Sequence, residues 1–214
     1  MSQITSVAVM VSRNTKKLRE LSALFSDVCG LEIRSLDDIG FKGDIIEDGD
    51  SFEANSLIKA EAVAELGYIG IADDSGLCVE ALSQNGIEVP GIHSARYAGD
   101  HIGDAANNAK LMNELSRLDN ASRAAKFVCV ITVAFPDGTN FFVRGECPGV
   151  ILDAPRGKNG FGYDPLFYSE VLGKTFAEAS DLEKSSVSHR GIAIRMLLER
   201  LPNELKSYIE RNAK

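Results

Sequence analysis

Apolar residues along the chain recur with two spacings, one suited to strands and one to helices. Ser6-Val7-Ala8-Val9-Met10-Val11 is a continuous, partly β-branched run that predicts a buried strand, broken by Ser12-Arg13-Asn14-Thr15. From Lys16, the positions Leu18, Leu21, Leu24 and Phe25 predict a helix ending near Gly30. Leu31 to Leu36 reads as a weak second strand, and Asp37 to Asp50 as an acidic loop. Asp50 followed by Glu53 is a capping-box pattern, and Phe52, Ile58, Ala62 and Leu66 predict the apolar side of a helix closed by Gly67. Ile69-Gly70-Ile71-Ala72 predicts a buried strand that stops on Asp73 and Asp74, with a turn at Gly76 and a short apolar element from Leu77 to Leu82.

Further on, Asp104 to Leu118 carries Leu111, Met112, Leu115 and Leu118 at helical spacing, a packing stripe. Phe127 to Phe135, the turn Pro136-Asp137-Gly138 and Asn140 to Glu146 predict a β-hairpin, with Val150-Ile151-Leu152 as a further strand. Glycines 157, 160 and 162 crowd the loop from Pro155 to Pro165. Ser180-Asp181-Leu182-Glu183 is a second capping box, opening a short helix that holds Lys184. A helix carrying Met196, Leu197, Leu198 and Leu201 is expected to stop at Pro202, with a short terminal helix after it. The sum is an α/β fold, a mixed central β-sheet flanked by helices.

Composition narrows the class. The chain has 214 residues, 44% hydrophobic and 25% charged, which suits one soluble domain over residues 1–214. A formal net charge of -8 opposes non-specific binding to nucleic acid or to an anionic membrane surface. Cys29, Cys78, Cys129 and Cys147 form no Cys-x-x-Cys pair and read as reduced, mostly buried thiols. No stretch is apolar for the length of a membrane span and no basic-then-apolar leader opens the chain, so a cytoplasmic location is expected.

Chemistry concentrates at a few places. Asp73 and Asp74 end an apolar run, where they either serve as an Asx-turn or cap, or meet a hard cation such as Mg2+. The loop after the first strand, with Lys16 and Lys17, either cradles a phosphate or is a plain turn with solvated lysines. Asn55 and Lys59 share one helix face, as a ligand pair or as a solvated surface. Arg96 follows a Gly- and Pro-containing loop, a place from which a cation can face a cleft. Phe161, Tyr163 and Asp164 set an aromatic face and a carboxylate among the glycines, while His189 and Arg190 are donors suited to a keto oxygen or a phosphate. Together with Glu47, Lys184 and the other cations, this inventory fits a Mg2+-nucleotide and attack by water on a phosphorus.

Six stretches in order then carry a resemblance: Ser12-Arg13-Asn14-Thr15-Lys16-Lys17; Glu47-Asp48-Gly49 with Phe52 to Lys59; Ala72-Asp73-Asp74-Ser75-Gly76-Leu77; Ser94-Ala95-Arg96-Tyr97; Gly160-Phe161-Gly162-Tyr163-Asp164-Pro165; and Glu183-Lys184 through Ser188-His189-Arg190-Gly191. In these the chain resembles the inosine triphosphate pyrophosphatase family over essentially its whole length, which implies two lobes with a nucleotide cleft between them. The resemblance implies hydrolysis of inosine and xanthosine triphosphates and their deoxy forms to the monophosphate and pyrophosphate, with Mg2+ and as a homodimer. It implies Asp74 as general base and metal ligand and Glu47 as a second metal carboxylate. Ser75, Asn14, Lys17, Asn55, Lys59 and Lys184 would hold phosphates and sugar, joined in the substrate set by Ser12 and Arg96. Phe161, Gly162, Tyr163, Asp164, His189 and Arg190 would frame the base. Two departures stand out: the first loop carries Ser12 and Arg13 where the family usually has threonine and a small residue, and Phe52-Glu53-Ala54-Asn55 has alanine where the family usually has an acid. Glu53, one residue earlier and so turned by about 100° on a helix, is not expected to replace it. The alternatives are a nucleotide-binding module with weak or lost catalysis, or a related pyrophosphatase for other modified nucleotides.

Overall fold

Parallel pairing of the first strand with both of its neighbours sets the frame. The computed structural model describes residues 7–12 and 31–213. The predicted helix from Lys16 to Gly30 therefore lies outside the described residues, as do Asn14, Lys17 and Cys29. Strand β1 (Val7–Met10) pairs in parallel with β2 (Glu32–Ser35) and with β3 (Ile69–Val79), in the register Ala8 to Ile69 and Met10 to Ile71. With β4 (Ala124–Ala134), β5 (Asn140–Ile151), β6 (Phe167–Ser169) and β7 (Lys174–Thr175) they form one seven-stranded sheet in the order β2-β1-β3-β4-β5-β6-β7. The last two pairings are antiparallel, so the sheet is mixed as expected.

The chain divides into two compact units. One comprises the chain up to Asp74, Val130–Arg144 and the segment from Ala193; the other comprises Ser75–Cys129 and Gly145–Ile192. In the first unit, helix α1 (Phe52–Ala64) contributes Ala60, Val63 and Ala64 to a core with Val9, Val11, Leu36, Ala72 and Ala134. A Cβ at Gly70 would stand 2.0 Å from the Ala60 carbonyl oxygen, so β3 passes α1 with no room for a side chain there. Ser56 and Thr132 hydroxyls bond at 2.7 Å in this core. In the second unit, Leu77 and Val79 pack with Leu111 and Leu115 of helix α2 (Asp104–Ser116), and with Phe127, Tyr163, Phe167 and Phe176. The three rings of Phe127, Phe167 and Phe176 meet pairwise at centroid distances of 4.6 to 5.9 Å, tilted or offset as aromatic quadrupoles favour.

Five expectations are corrected. β3 does not stop at the aspartates: it runs from Ile69 through Asp73 and Asp74 to Val79, so the acids lie mid-strand and the Asx-turn or cap reading falls. Gly76 makes no turn; a Cβ there would be 2.2 Å from the Gly91 carbonyl and 2.5 Å from Ser94 Oγ, so glycine is required by close approach. The N-cap of α1 is Ser51, not Asp50, its hydroxyl accepting the Ala54 N–H. Helix α4 (His189–Asn212) continues through Pro202. Proline removes one backbone bond, but Leu197, Leu201 and Leu205 are all buried on one stripe, and that packing outweighs the local break. Val150 and Ile151 likewise close β5 instead of forming a strand of their own, and Leu152 lies just past its end. The second capping box is present in full: Ser180 and Glu183 satisfy each other's backbone N–H at the start of helix α3 (Asp181–Val187).

Candidate active site

Helix α1 buries the face that carries Asn55 and Lys59, which settles against the solvated-surface alternative. Phe52, Asn55, Ser56, Lys59, Ala60 and Val63 follow the spacing of a single helical stripe, and all are buried, whereas Leu66 just beyond the helix is exposed. The stripe works because its polar members have partners. Lys59 Nζ lies 2.9 Å from Glu47 Oε2 and 3.0 Å from Asp74 Oδ1, so one ammonium draws two carboxylates together. Asp73 is also buried and acts on Lys59 electrostatically. Burial opposes the Lys59 charge, but Asp74, Asp73 and Glu47 together outweigh it and raise the pKa above the usual lysine value. Three carboxylates around one ammonium leave negative charge in excess, the condition under which a divalent cation binds. Among the described residues no group of three or more His, Cys, Asp or Glu side chains is arranged to hold a metal. Mg2+ needs only one or two carboxylates, its other positions going to water and phosphate oxygens, so the oxygen donors of Glu47 and Asp74 fit it.

The supports of this cluster are visible. Asn55 Oδ1 accepts the Gly49 N–H at 2.9 Å and so holds the loop that carries Glu47. Ala54 stands beside the same loop, because a Cβ at Gly49 would lie 2.7 Å from Ala54 Cβ. Glu53 is turned elsewhere, its carboxylate 2.7 Å from Arg144 Nη1 on β5. Ser12 follows the end of β1, where the Val11 N–H donates to the Ile71 carbonyl at 2.8 Å.

The second unit holds the other cluster. The Asp164 carboxylate, 2% exposed, takes the Lys184 ammonium at 2.7 Å and the Phe161 N–H at 2.8 Å on the same oxygen. Lys184 Nζ sits 4.8 Å from the Phe161 ring centroid and the Arg190 guanidinium 5.8 Å from it, so the ring has a cation on each of two contacts. Arg190 also donates to Ser75 Oγ at 3.1 Å. His189 stacks on Phe127 at 4.7 Å, and both His189 and Arg190 are buried at the first turn of α4. Ser188 Oγ accepts the Gly191 N–H, and a Cβ at Gly191 would strike the Ser185 carbonyl at 1.8 Å, which lets α4 start hard against α3. Gly160 has φ +74 and a Cβ there would overlap the Asp164 carboxylate, so glycine is needed twice over.

Not every candidate side chain points into a cluster. Tyr163 is core, its hydroxyl donating to the Ser94 carbonyl at 2.9 Å. Gly162 gives its N–H to Asp104 and its carbonyl to Asn108. Arg96 ends a short 3-10 turn, Gly91–Arg96, and is exposed. Sequence reading missed Ser94, whose hydroxyl accepts the Leu77 N–H and donates to the Gly91 carbonyl, and missed Asp104 and Asn108 altogether. Asn108 alone had a local sign, as one of the pair Asn107–Asn108 inside a helix, where that residue is disfavoured.

The chain passes from the first cluster to the second at consecutive residues, Asp74 and Ser75. Residues 8–200 match the model of the Ham1 family. A dITP/XTP pyrophosphatase of Bacillus cereus is 44% identical over 197 residues, 91% of this chain and 94% of its own. The structure of the Staphylococcus aureus Ham1 protein matches with a TM-score of 0.82 at 40% identity, covering 93% of this chain and all of that one. A HAM1 protein from Coxiella burnetii matches with a TM-score of 0.85 at 36% identity, over 92% of this chain and 99% of its own.

Proposed function

This chain belongs to the Ham1 family, and we propose that it hydrolyses non-standard purine nucleoside triphosphates, ITP, dITP, XTP and dXTP, to the monophosphate and pyrophosphate. The observation that carries the reading is the convergence of the Glu47 and Asp74 carboxylates on the buried Lys59 ammonium. In this reading the whole chain acts as one catalytic domain. Glu47 and Asp74 hold Mg2+, which when bound neutralises charge on the phosphate oxygens. Asp74 takes the proton of the attacking water as its oxygen bonds to phosphorus; the anhydride bond breaks, and pyrophosphate leaves with the electron pair. Lys59, Ser12, Asn14, Lys17 and Ser75 neutralise or bond the phosphates and sugar, with Asn55 holding the Glu47 loop and Arg96 reaching the substrate from its exposed turn.

Phe161 stacks on the base, while Lys184 and Asp164 fix that ring's loop. Gly162 and Tyr163 act through the shape of the loop. Arg190 and His189 supply donors to the 6-keto oxygen, which adenine replaces with an amino donor, so adenine nucleotides are disfavoured. Among the described residues Cys78, Cys129 and Cys147 are buried and in no disulfide, which supports a reducing, cytoplasmic setting. No helix among the described residues is long and apolar enough to cross a membrane. We assign a homodimer as the working state, with neither nucleic acid nor membrane as partner.

The test is product analysis: the protein with ITP and Mg2+ should yield IMP and pyrophosphate in equal amounts, and ATP should be turned over far more slowly. Release of orthophosphate, or binding with no turnover, would overturn the assignment. Replacing Ala54 with glutamate places an acid beside the Glu47–Gly49 loop, and a changed rate or Mg2+ dependence is expected. An unchanged profile would show that the acid is dispensable here.

A further inference from the structure

Helix α2 spends its first two turns on other parts of the second unit instead of on itself. Its N-cap, Gly103, has no side chain, and the first helical residue, Asp104, turns its carboxylate to the Gly162 N–H at 2.7 Å. Asn108 donates to the Gly162 carbonyl at 2.8 Å and to the Asp104 carbonyl at 2.9 Å. Both backbone groups of Gly162 are therefore held by one helix. Next to Asn108, Asn107 accepts the Ala98 N–H at 2.7 Å and donates to the Ala95 carbonyl at 3.1 Å. One turn on, Lys110 donates to the Tyr97 carbonyl at 2.7 Å.

Asparagine inside a helix costs stability relative to alanine, because its amide competes for backbone groups. Two in succession are retained here with their amides aimed at loop backbone, a local penalty offset by what the loops gain. The loop gripped at Gly162 is the one that carries Phe161. Gly162 has φ +60, so the residue after the ring sits in a conformation that needs external support to define the ring's direction. Asp164 grips the Phe161 N–H on the other side, at 2.8 Å. The ring is thus set by a bond at its own amide and by two bonds at its neighbour.

We propose that Asp104 and Asn108 are positioning residues for the base-stacking ring of Phe161, acting as a two-point clamp on the backbone N–H and carbonyl of Gly162. The inference rests on the proposed stacking role of Phe161, and the test separates the two. Amide exchange at Gly162, followed by NMR, reads the clamp directly and needs no substrate. Asp104→Ala should speed that exchange by about 10-fold or more, while Asp104→Asn, which keeps an acceptor, should leave it near the native rate. Asn108→Asp keeps the shape but removes the donor, and should raise KM for ITP by about 10-fold, the scale of one weakened base stack, with kcat within about 2-fold.

The double variant Asn108→Asp with Phe161→Ala should bind ITP no worse than Phe161→Ala alone, because the clamp has then lost its object. Unchanged Gly162 exchange in Asp104→Ala overturns the clamp. Faster exchange with native KM, or independent effects in the double variant, overturns the link to Phe161. If the unsubstituted protein leaves ITP intact, the functional assignment fails on that result, and the positioning of a base-stacking ring falls with it whatever the exchange shows.

Discussion

Lys59 is the residue whose setting says most about the site. It is 8% exposed and holds the buried Asp74 carboxylate and the partly exposed Glu47 carboxylate within 3.0 Å, so its removal leaves like charges facing each other with one of them buried. Lys59→Met is expected to cost about 3 kcal/mol or more, measured by urea unfolding at neutral pH. The pKa of Lys59 is raised in the folded state. Its contribution is therefore fully present below the unfolded lysine value and is lost as pH rises through the higher folded one. Unfolding midpoints in alkaline buffers should fall more steeply for the native protein than for Lys59→Met. Asp74→Asn should lose at least about 100-fold in turnover, the scale of a general base, while circular dichroism shows a folded protein. Full activity in that variant would remove Asp74 from the chemistry. Asp73 was left without a distinct role by the sequence; the structure gives it one, as a buried charge that helps hold Lys59 protonated.

At the scale of elements, close approach decides more than propensity does. Gly70 looks like an ordinary weakness in a strand, but the Ala60 carbonyl leaves its side no room. Gly70→Ala should destabilise the protein by about 1–3 kcal/mol through overpacking, which a thermal melt would register as a fall of several degrees. Pro202 poses the opposite case. Helix α4 tolerates it because the flanking leucines are buried, so Pro202→Ala restores a backbone bond and should stabilise by up to about 3 kcal/mol. Loss of stability in that variant would mean that the proline ring itself packs usefully. The capping box at α3 was legible from Ser180 and Glu183 alone, because both partners lie within one turn. The start of α1 was misplaced by one residue for the same kind of reason in reverse. Asp50 and Ser51 are both competent caps, and the choice of Ser51 follows from where Phe52 enters the core.

For the molecule as a whole, acid stability has an identifiable source. Arg211 and Asn212 at the end of α4 bond Asp137 in the β4–β5 turn, at 3.0 and 3.2 Å. Burial works against the Asp137 charge, but bonds from Thr139, Arg211 and Asn212 prevail and bring its pKa down to about 2. A depressed carboxylate contributes stability above its unfolded pKa and loses it as pH falls through the folded value. Asp137→Asn should therefore melt lower than the native protein at pH 7, and the gap should close between about pH 4 and pH 2. A constant gap across that range would assign the effect to shape instead of charge. The tie also holds the last turn of α4, at Arg211 and Asn212, to the β4–β5 turn.

The sequence by itself determined the parts that depend on neighbours along the chain. Strand β1, the β4–β5 turn, the second capping box and the stripe of α2 follow from periodicities of two and 3.6 and from side chains reaching one turn away. Its ordered motifs also pointed to the family. Only the tertiary structure decided that Asp73 and Asp74 lie inside a strand, that the Asn55–Lys59 face of α1 is the buried one, and that Gly162 is held from α2. Each of these depends on a partner far away in sequence. A buried lysine is stable only beside carboxylates from other segments, and a glycine is obligatory only where distant backbone closes in. Nothing in a one-dimensional pattern carries those distances.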